Sequence, residues 1–383
     1  MTAPTKFTPE TVSAVPESSH AEMVDQVKSR FRYATTRYIK NLMEQSDAVR
    51  KQFEPSFYEL MDFGKEQPFE EGKDNSGIYG LERIYEDRAV ITPYFGCASY
   101  CRYCFKKTRT LGGDNKVMAE ENIDAALEYI RSDSRITTAL ITGGDPLAKP
   151  ALVYKILEQL SAIPHITKIR IGSRHILFQP DRITTELAER ISSYNRVDPE
   201  KPLASKNISI GVSINHADEL QPEVIRAVQQ FTKRGVTVRG QMVLMKGIND
   251  DVATLKNLLN HFLATGIVPY YLFHCMDVVG TYHMRTSVQR GLDILAQLAE
   301  FSGTYSVPYV YVTPVGKHRV SPGMKLDYEE IDGKRYIRRT SPYKAERFLA
   351  FSGKKSLPEL HEVDENGYIV SRYLDGNDTY LPY

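Results

Sequence analysis

The chain has 383 residues, enough to bury a sizeable core as one large α/β domain or two smaller ones. An apolar share of 42% beside 25% charge is that of a globular protein, which sets disorder aside. The net charge of +1 leaves no global basic field to collect nucleic acid or anionic lipid. No apolar run approaches the ~18 residues of a membrane span, and the opening MTAPTKFTPETVSAVPESSH lacks the apolar stretch of a secretion signal. A cytoplasmic protein with no nucleic-acid or membrane partner is the expectation.

In chain order, residues 1–17 are rich in Pro, Thr and Ser and are expected to fray. Between Glu22 and Met61, Val24, Val27, Phe31, Tyr33, Tyr38, Ile39 and Leu42 recur at roughly helical spacing, which predicts helices packed outside the core. Residues 63–82 read as a polar, glycine-containing linker. Strands are predicted over Arg88–Tyr94, Thr137–Thr142, Lys168–Ser173, Asn207–Ser213, Val236–Val243, Pro269–Phe273 and Pro308–Thr313. Between most of them lie helical stretches: Glu121–Arg131, Ala151–Ile163, Thr184–Tyr194, Pro222–Arg234, Asp251–Thr265 and Ser287–Phe301. This alternation means βαβ units and a mainly parallel sheet, and six or seven repeats suit an open or closed barrel better than a short doubly wound sheet. Barrels carry their chemistry on loops at the C-terminal ends of the strands. After Gly316, Asp332-Gly333 between Leu326–Ile331 and Lys334–Arg338, and Asn366-Gly367 further on, predict hairpins.

Of four cysteines, Cys97, Cys101 and Cys104 fall within eight residues and Cys275 stands far away. So few in a chain without a signal peptide argue for metal rather than a disulfide framework. The spacing C-x3-C-x2-C in GCASYCRYCFKK lets a loop wrap a 4Fe–4S cluster and leave one iron without a protein ligand. The bland alternative is a zinc knuckle or three unrelated buried thiols, but zinc wants four ligands and no Cys or His partner lies nearby in sequence.

The cluster, its spacing and the surrounding CRYCFKK resemble radical S-adenosylmethionine (SAM) enzymes, and more narrowly the lysine 2,3-aminomutase family. The likeness runs from about Tyr85 to Gly316 and includes TGGDPL (Thr142–Leu147), RIGSR (Arg170–Arg174), NHADE (Asn215–Glu219), KGIND (Lys246–Asp250), VPYY (Val268–Tyr271) and RTSVQRGLDI (Arg285–Ile294). It implies a partial (β/α)6 TIM-like barrel over 85–315, with a helical extension over 1–84 and a small β-containing segment over 316–383.

It also implies SAM contacts at Gly143, Gly144 and Asp145, where the bland reading is a strand-to-helix turn capped by Asp145. Ser173, Arg174, His216 and Gln241 are implied as further SAM contacts, though a lone His or Gln is more often structural. The implied chemistry is cleavage of SAM to a 5′-deoxyadenosyl radical that takes hydrogen from an unactivated carbon, shielded inside the barrel. The electron for this comes from a donor such as flavodoxin or ferredoxin.

The family also joins pyridoxal phosphate (PLP) to a lysine after the last strand. Here that stretch reads YVTPVGKHR and offers Lys317. Arg83, Tyr85 and Arg88 stand where the family binds the cofactor's phosphate. The bland reading makes Lys317 and His318 part of a solvated loop.

Departures cluster at the same end. Tyr103 stands for a histidine, and Lys106 for an arginine that meets the substrate carboxylate, which keeps the charge but loses the planar fork. The two aspartates that grip a lysine ammonium align with Met276 and Thr313, and the cysteine-rich C-terminal zinc segment is missing. Lysine is thus disfavoured as substrate; Asp277, one place along, is the remaining carboxylate for a cationic head. The resemblance therefore leads to amino-group migration on a free amino acid other than lysine. Desaturation of a basic amino acid such as arginine, and a non-catalytic Fe–S module, are the rival readings. A homo-oligomer is open.

Overall fold

The computed structural model describes residues 7–8, 11, 15–61, 63–65, 77–110 and 117–381. Much of the fraying 1–17 segment and of the expected 63–82 linker lies outside them. Among the described residues the predicted N-terminal helices are three: α1 His20–Arg30, α2 Arg37–Gln45 and α3 Asp47–Phe53. Thr36 and Ser46 start the second and third, their hydroxyls accepting from the N–H of Ile39 and Val49. A 3-10 turn follows over Phe57–Leu60.

Among the described residues nine strands form one sheet in chain order: β1 Leu81–Tyr85, β2 Arg88–Tyr94, β3 Thr138–Gly143, β4 Lys168–Gly172, β5 Asn207–Ser213, β6 Thr237–Leu244, β7 Val268–His274, β8 Tyr309–Thr313 and β9 Gly316–Val320. From β2 to β8 the pairing is parallel, while β1 and β9 run antiparallel at the edges. Helices α4 Lys107–Thr110, α5 Glu120–Ser132, α6 Pro150–Ser161, α7 His175–Phe178, α8 Thr185–Ser192, α9 Pro222–Thr232, α10 Val252–Thr265 and α11 Val288–Phe301 occupy the crossovers. This is the expected partial barrel.

The two faces of each strand differ as a period of two demands. Ile169, Ile171, Ile210, Val212, Val238, Met242 and Leu244 are buried. At Gly240 a Cβ would meet the Phe262 ring of α10 at 2.3 Å, so that face packs on the helices. The other face looks inward: a Cβ on Gly211 would touch Arg170 Cδ at 3.4 Å and Gln241 Nε2 at 3.5 Å.

Two edge strands were not expected. β1 begins at the end of the stretch read as linker, and β9 makes a strand of GKHRV, where the alternative reading put Lys317 and His318 in a solvated loop. The edges meet: the Lys317 N–H donates to Tyr85 Oη at 2.8 Å. The predicted hairpin is present as β10 Asp327–Ile331 and β11 Lys334–Lys344, with Asp332 and Gly333 both at positive φ (50° and 70°) as a two-residue turn requires. Helix α12 Ala345–Ser352, which was not predicted, then leads to β12 His361–Val363 and β13 Tyr368–Leu374, joined around Asn366-Gly367. The tail folds back over the barrel: Asp375 and Asp378 carboxylates accept from the N–H of Val288 and Ser287 at the start of α11, both at 2.8 Å. Among the described residues no helix is long and apolar enough to cross a membrane.

Candidate active site

The cysteine loop leaves the C-terminal end of β2. Cys97, Cys101 and Cys104 are half-buried free thiols. The turn between the last two is closed by the Cys104 N–H on Cys101 O at 3.2 Å. The rest of the loop is tied to the N-terminal extension. Thr36 N–H donates to Ser99 Oγ (3.0 Å), Tyr100 N–H to Ala34 O (3.0 Å) and Arg102 N–H to Gln52 O (2.8 Å). Beneath it the Arg102 guanidinium forks onto Glu59, Nε to Oε1 at 2.8 Å and Nη2 to Oε2 at 2.5 Å, and Lys107 Nζ joins Oε2 at 2.6 Å. All three side chains are fully buried.

The donor set fits the cluster. Burial, with Asp145 and the two neighbouring thiols, pushes Cys97 well up; burial and Cys101 push Cys104 to about 11. Cys97 and Cys104 hold charge here only when a cation shares it. Among the described residues no three His, Cys, Asp or Glu side chains converge on one ion position; a cubane asks for one thiolate per iron. Cys275 is buried among Tyr103, Met245 and Met284.

TGGDPL lies directly against this loop, and its glycines serve a purpose that the sequence left unseen. A Cβ on Gly143 would stand 2.3 Å from Tyr94 O, and one on Gly144 2.2 Å from Gly96 O. The Gly144 and Asp145 N–H groups donate to Tyr94 O and Gly96 O, both at 2.8 Å. The close approach is thus to the protein's own backbone, and it seats the cysteine loop on β3. Gly144→Ala is expected to displace that backbone and reduce retained iron by more than half, read as iron and sulfide per chain.

Asp145 is buried and caps the turn after β3, accepting from Leu147 N–H at 3.1 Å. It also accepts from Ser173 Oγ at 2.6 Å and Arg174 N–H at 2.8 Å, joining the ends of β3 and β4. Burial lifts its pKa to about 6 against these bonds. Arg174 reaches across to Cys101 Sγ at 2.7 Å and to Glu219 at 2.7 Å. His216 is half-buried, its Nδ1 accepting from Asp218 N–H at 3.3 Å, while Gln241 lies on the inner face of β6. The fold brings Gly143, Gly144, Asp145, Ser173 and Arg174 to the cysteines. Glu59, Gln52 and Glu219, which support the site, were missed by sequence reasoning; for Glu59 the signal was the pair of cations, Arg102 inside the thiol motif and Lys107 just after it.

At the seam Lys317 points its amine at Tyr85, 3.5 Å from Oη and 5.1 Å from the ring, with the Tyr271 ring 5.9 Å away. It is no solvated loop residue. Burial, helped by Arg88 and Arg170, lowers its pKa to about 7. Arg88 sits 5.2 Å over the Tyr85 ring, and Arg170 and Arg239 lie 5.4 and 5.0 Å from the Tyr270 ring. Arg170 was missed as a site residue, although a charge in mid-strand within KIRIG marks an inward position. Among the described residues Arg88, Arg170 and Arg239 make no salt bridge, and Arg88 Nε is buried without a hydrogen-bond partner.

Arg83 does not join this patch. A register shift between Glu82 and Tyr85 turns it outward, onto Asp133 (2.8 Å) and Tyr129 Oη (3.1 Å). Lys106 is buried beside the thiols, where its charge eases Cys97 and Cys104. Asp277 is buried with Arg285 Nη1 at 3.9 Å, so its counter-ion comes from the chain itself. Thr313 donates to Gly316 O at 3.3 Å, and neither it nor Met276 offers a carboxylate.

Comparison with known proteins agrees. Residues 91–259 match the family described as Radical SAM superfamily. The L-lysine 2,3-aminomutase of Clostridium subterminale is 34% identical over 310 residues, covering 79% of this chain and 71% of that protein. The glutamate 2,3-aminomutase of Clostridioides difficile (strain 630) is 31% identical over 301 residues, covering 77% and 68%. A protein of Aquifex aeolicus (strain VF5), provisionally named for the lysine reaction, is 33% identical over 370 residues and 94% of both chains. With three cysteines on the loop after the first parallel strand of a partial barrel, this chain belongs to the lysine 2,3-aminomutase family and is a radical SAM enzyme.

Proposed function

We propose that the enzyme moves the amino group of a free α-amino acid other than lysine between neighbouring carbons, using a 4Fe–4S cluster, SAM and PLP. The observation that carries this reading is Lys317: an inward amine with pKa near 7, beside two arginines that lack an anion. When bound, these cofactors supply a hydrogen-abstracting radical and a carrier for the migrating nitrogen.

The chain's own residues supply the rest. Cys97, Cys101 and Cys104 hold the cluster; Lys317 presents a neutral amine near pH 7, and Tyr85 accepts from its backbone N–H. Arg88 and Arg170 face a phosphate, and the barrel wall excludes water. Lys106 offers a positive charge to a substrate carboxylate on the cluster side. At Met276 and Thr313 no carboxylate stands ready for a side-chain ammonium, which argues against lysine. Asp277 already faces Arg285, which also weighs against a guanidinium substrate. A low-potential one-electron donor and a reducing compartment such as the cytoplasm suit three free thiols.

The test is an anaerobic panel: reconstituted enzyme, reductant and SAM with each proteinogenic amino acid, products read by mass spectrometry and chromatography. A β-amino acid of unchanged mass is the expected result. A product lighter by two hydrogens means desaturation instead, and absence of 5′-deoxyadenosine sinks the radical reading altogether.

A further inference from the structure

Arg174 has a geometry that a cosubstrate contact does not require. Its Nη1 points at Cys101 Sγ, 2.7 Å away, while Nη2 donates to Glu219 Oε2 at 2.7 Å and Gln52 Oε1 at 3.4 Å. Glu219 Oε1 accepts from Gln52 Nε2 at 2.6 Å and from Asn215 N–H at 3.2 Å. Asn215 Nδ2 in turn donates to Gln52 Oε1 at 2.9 Å and Tyr103 Oη at 2.7 Å. The rings of Phe53, Tyr103 and Phe178 stand 5.2, 5.6 and 5.4 Å from the guanidinium carbon. Arg174 is 8% exposed, Glu219 3%, and Gln52 and Asn215 not at all. Its own N–H is pinned by Asp145. A side chain normally loose at its tip is held here from backbone to guanidinium.

We propose that Arg174 is a positioning residue for the cluster: a fixed cationic donor to the Cys101 sulfur that makes one-electron reduction easier, with Glu219 and Gln52 as its mount. This rests on the reading that the three cysteines carry a 4Fe–4S cluster. Reduction adds one electron, taken from an external one-electron reductant, to iron and sulfur together. A donor aimed at a ligand sulfur and a positive charge beside it stabilise the reduced cluster more than the oxidised one. The effect is large because water is excluded. Glu219 opposes it from behind the guanidinium, on the side away from the sulfur. Arginine keeps its proton at all working pH values, so the guanidinium gains and loses none as the electron arrives.

The experiment is a redox titration of reconstituted full-length protein without SAM, followed by the electron paramagnetic resonance of the reduced cluster. Arg174→Gln is expected to lower the reduced-to-oxidised ratio at a fixed potential about tenfold, about 59 mV for a one-electron couple. Arg174→Lys should fall between. Glu219→Gln, which keeps the shape and removes the opposing charge, should shift the midpoint the other way. Opposite signs from two neighbours are not what a general loosening of the fold produces. If Arg174→Gln retains no cluster, the Lys and Glu219 variants decide alone. An unchanged midpoint with weakened SAM affinity would make Arg174 a cosubstrate contact and overturn the proposal, as would shifts of one sign throughout. Wild-type protein with no 4Fe–4S signal would sink the underlying reading instead.

Discussion

Replacing Glu59 by alanine is expected to cost about 3–5 kcal/mol of folding stability, because it leaves two buried cations without their counter-charge. Arg102 and Lys107 have no exposure through which to escape. Burial pushes the Glu59 carboxyl up, but the Arg102 guanidinium and the Lys107 ammonium overcome it and hold the pKa at about 2. Burial lowers Lys107 to about 8 against the pull of Glu59. The sign of the pH effect follows. Glu59 is depressed below its ordinary 4.5, so its contribution is complete above that value and is lost as pH falls toward 2. Urea unfolding of wild type and Glu59→Gln should therefore differ most near neutrality and converge in acid. Iron retention should fall with stability, since the same cations frame Cys101 and Cys104. A variant unfolding at the wild-type urea midpoint would show that the triad does not hold the loop.

Lys317→Ala should abolish product formation altogether while leaving the cluster signal intact. Lys317 is depressed from 10.5 to about 7, burial being the main cause and Arg88 and Arg170 adding to it. The neutral amine is thus populated above about pH 7, well before that of an ordinary lysine. Incubation with PLP followed by borohydride should label the Lys317 peptide, with a yield that rises through pH 7 and levels soon after. For stability the sign is the reverse of the Glu59 case: a depressed amine costs stability below 10.5, and the cost grows until about pH 7. Lys317→Met should accordingly melt higher than wild type at neutral pH. Labelling spread over surface lysines, with Lys317 unmarked, would remove the argument for PLP.

The parallel strands and the long helices were legible because each is a run of β-branched residues or a helical stripe bounded by turn signals. β2 and β5 have the predicted ends to the residue. β1, with LERIY, and β9, with GKHRV, were not. Each is five residues long, carries two charges, and exists because a neighbouring antiparallel strand gives its backbone a partner. The thiol motif announced the chemistry, but not its support. Nothing local to Glu59 or Gln52 says that residues so far ahead of the cysteines in sequence lie under them, since the pairing is made by tertiary packing alone. Arg83 shows the converse. It stands two residues from Tyr85 and should share its face, but a single bulge breaks the period of two on which that inference depends.

The clasp between the first and last strands has a consequence for how reactivity is controlled. The residue that latches Tyr85 through its backbone is the one whose side chain is proposed to react. On that proposal an opening of the seam would admit water to the amine and restore its proton, so closure of the sheet and competence of the nucleophile would be one equilibrium.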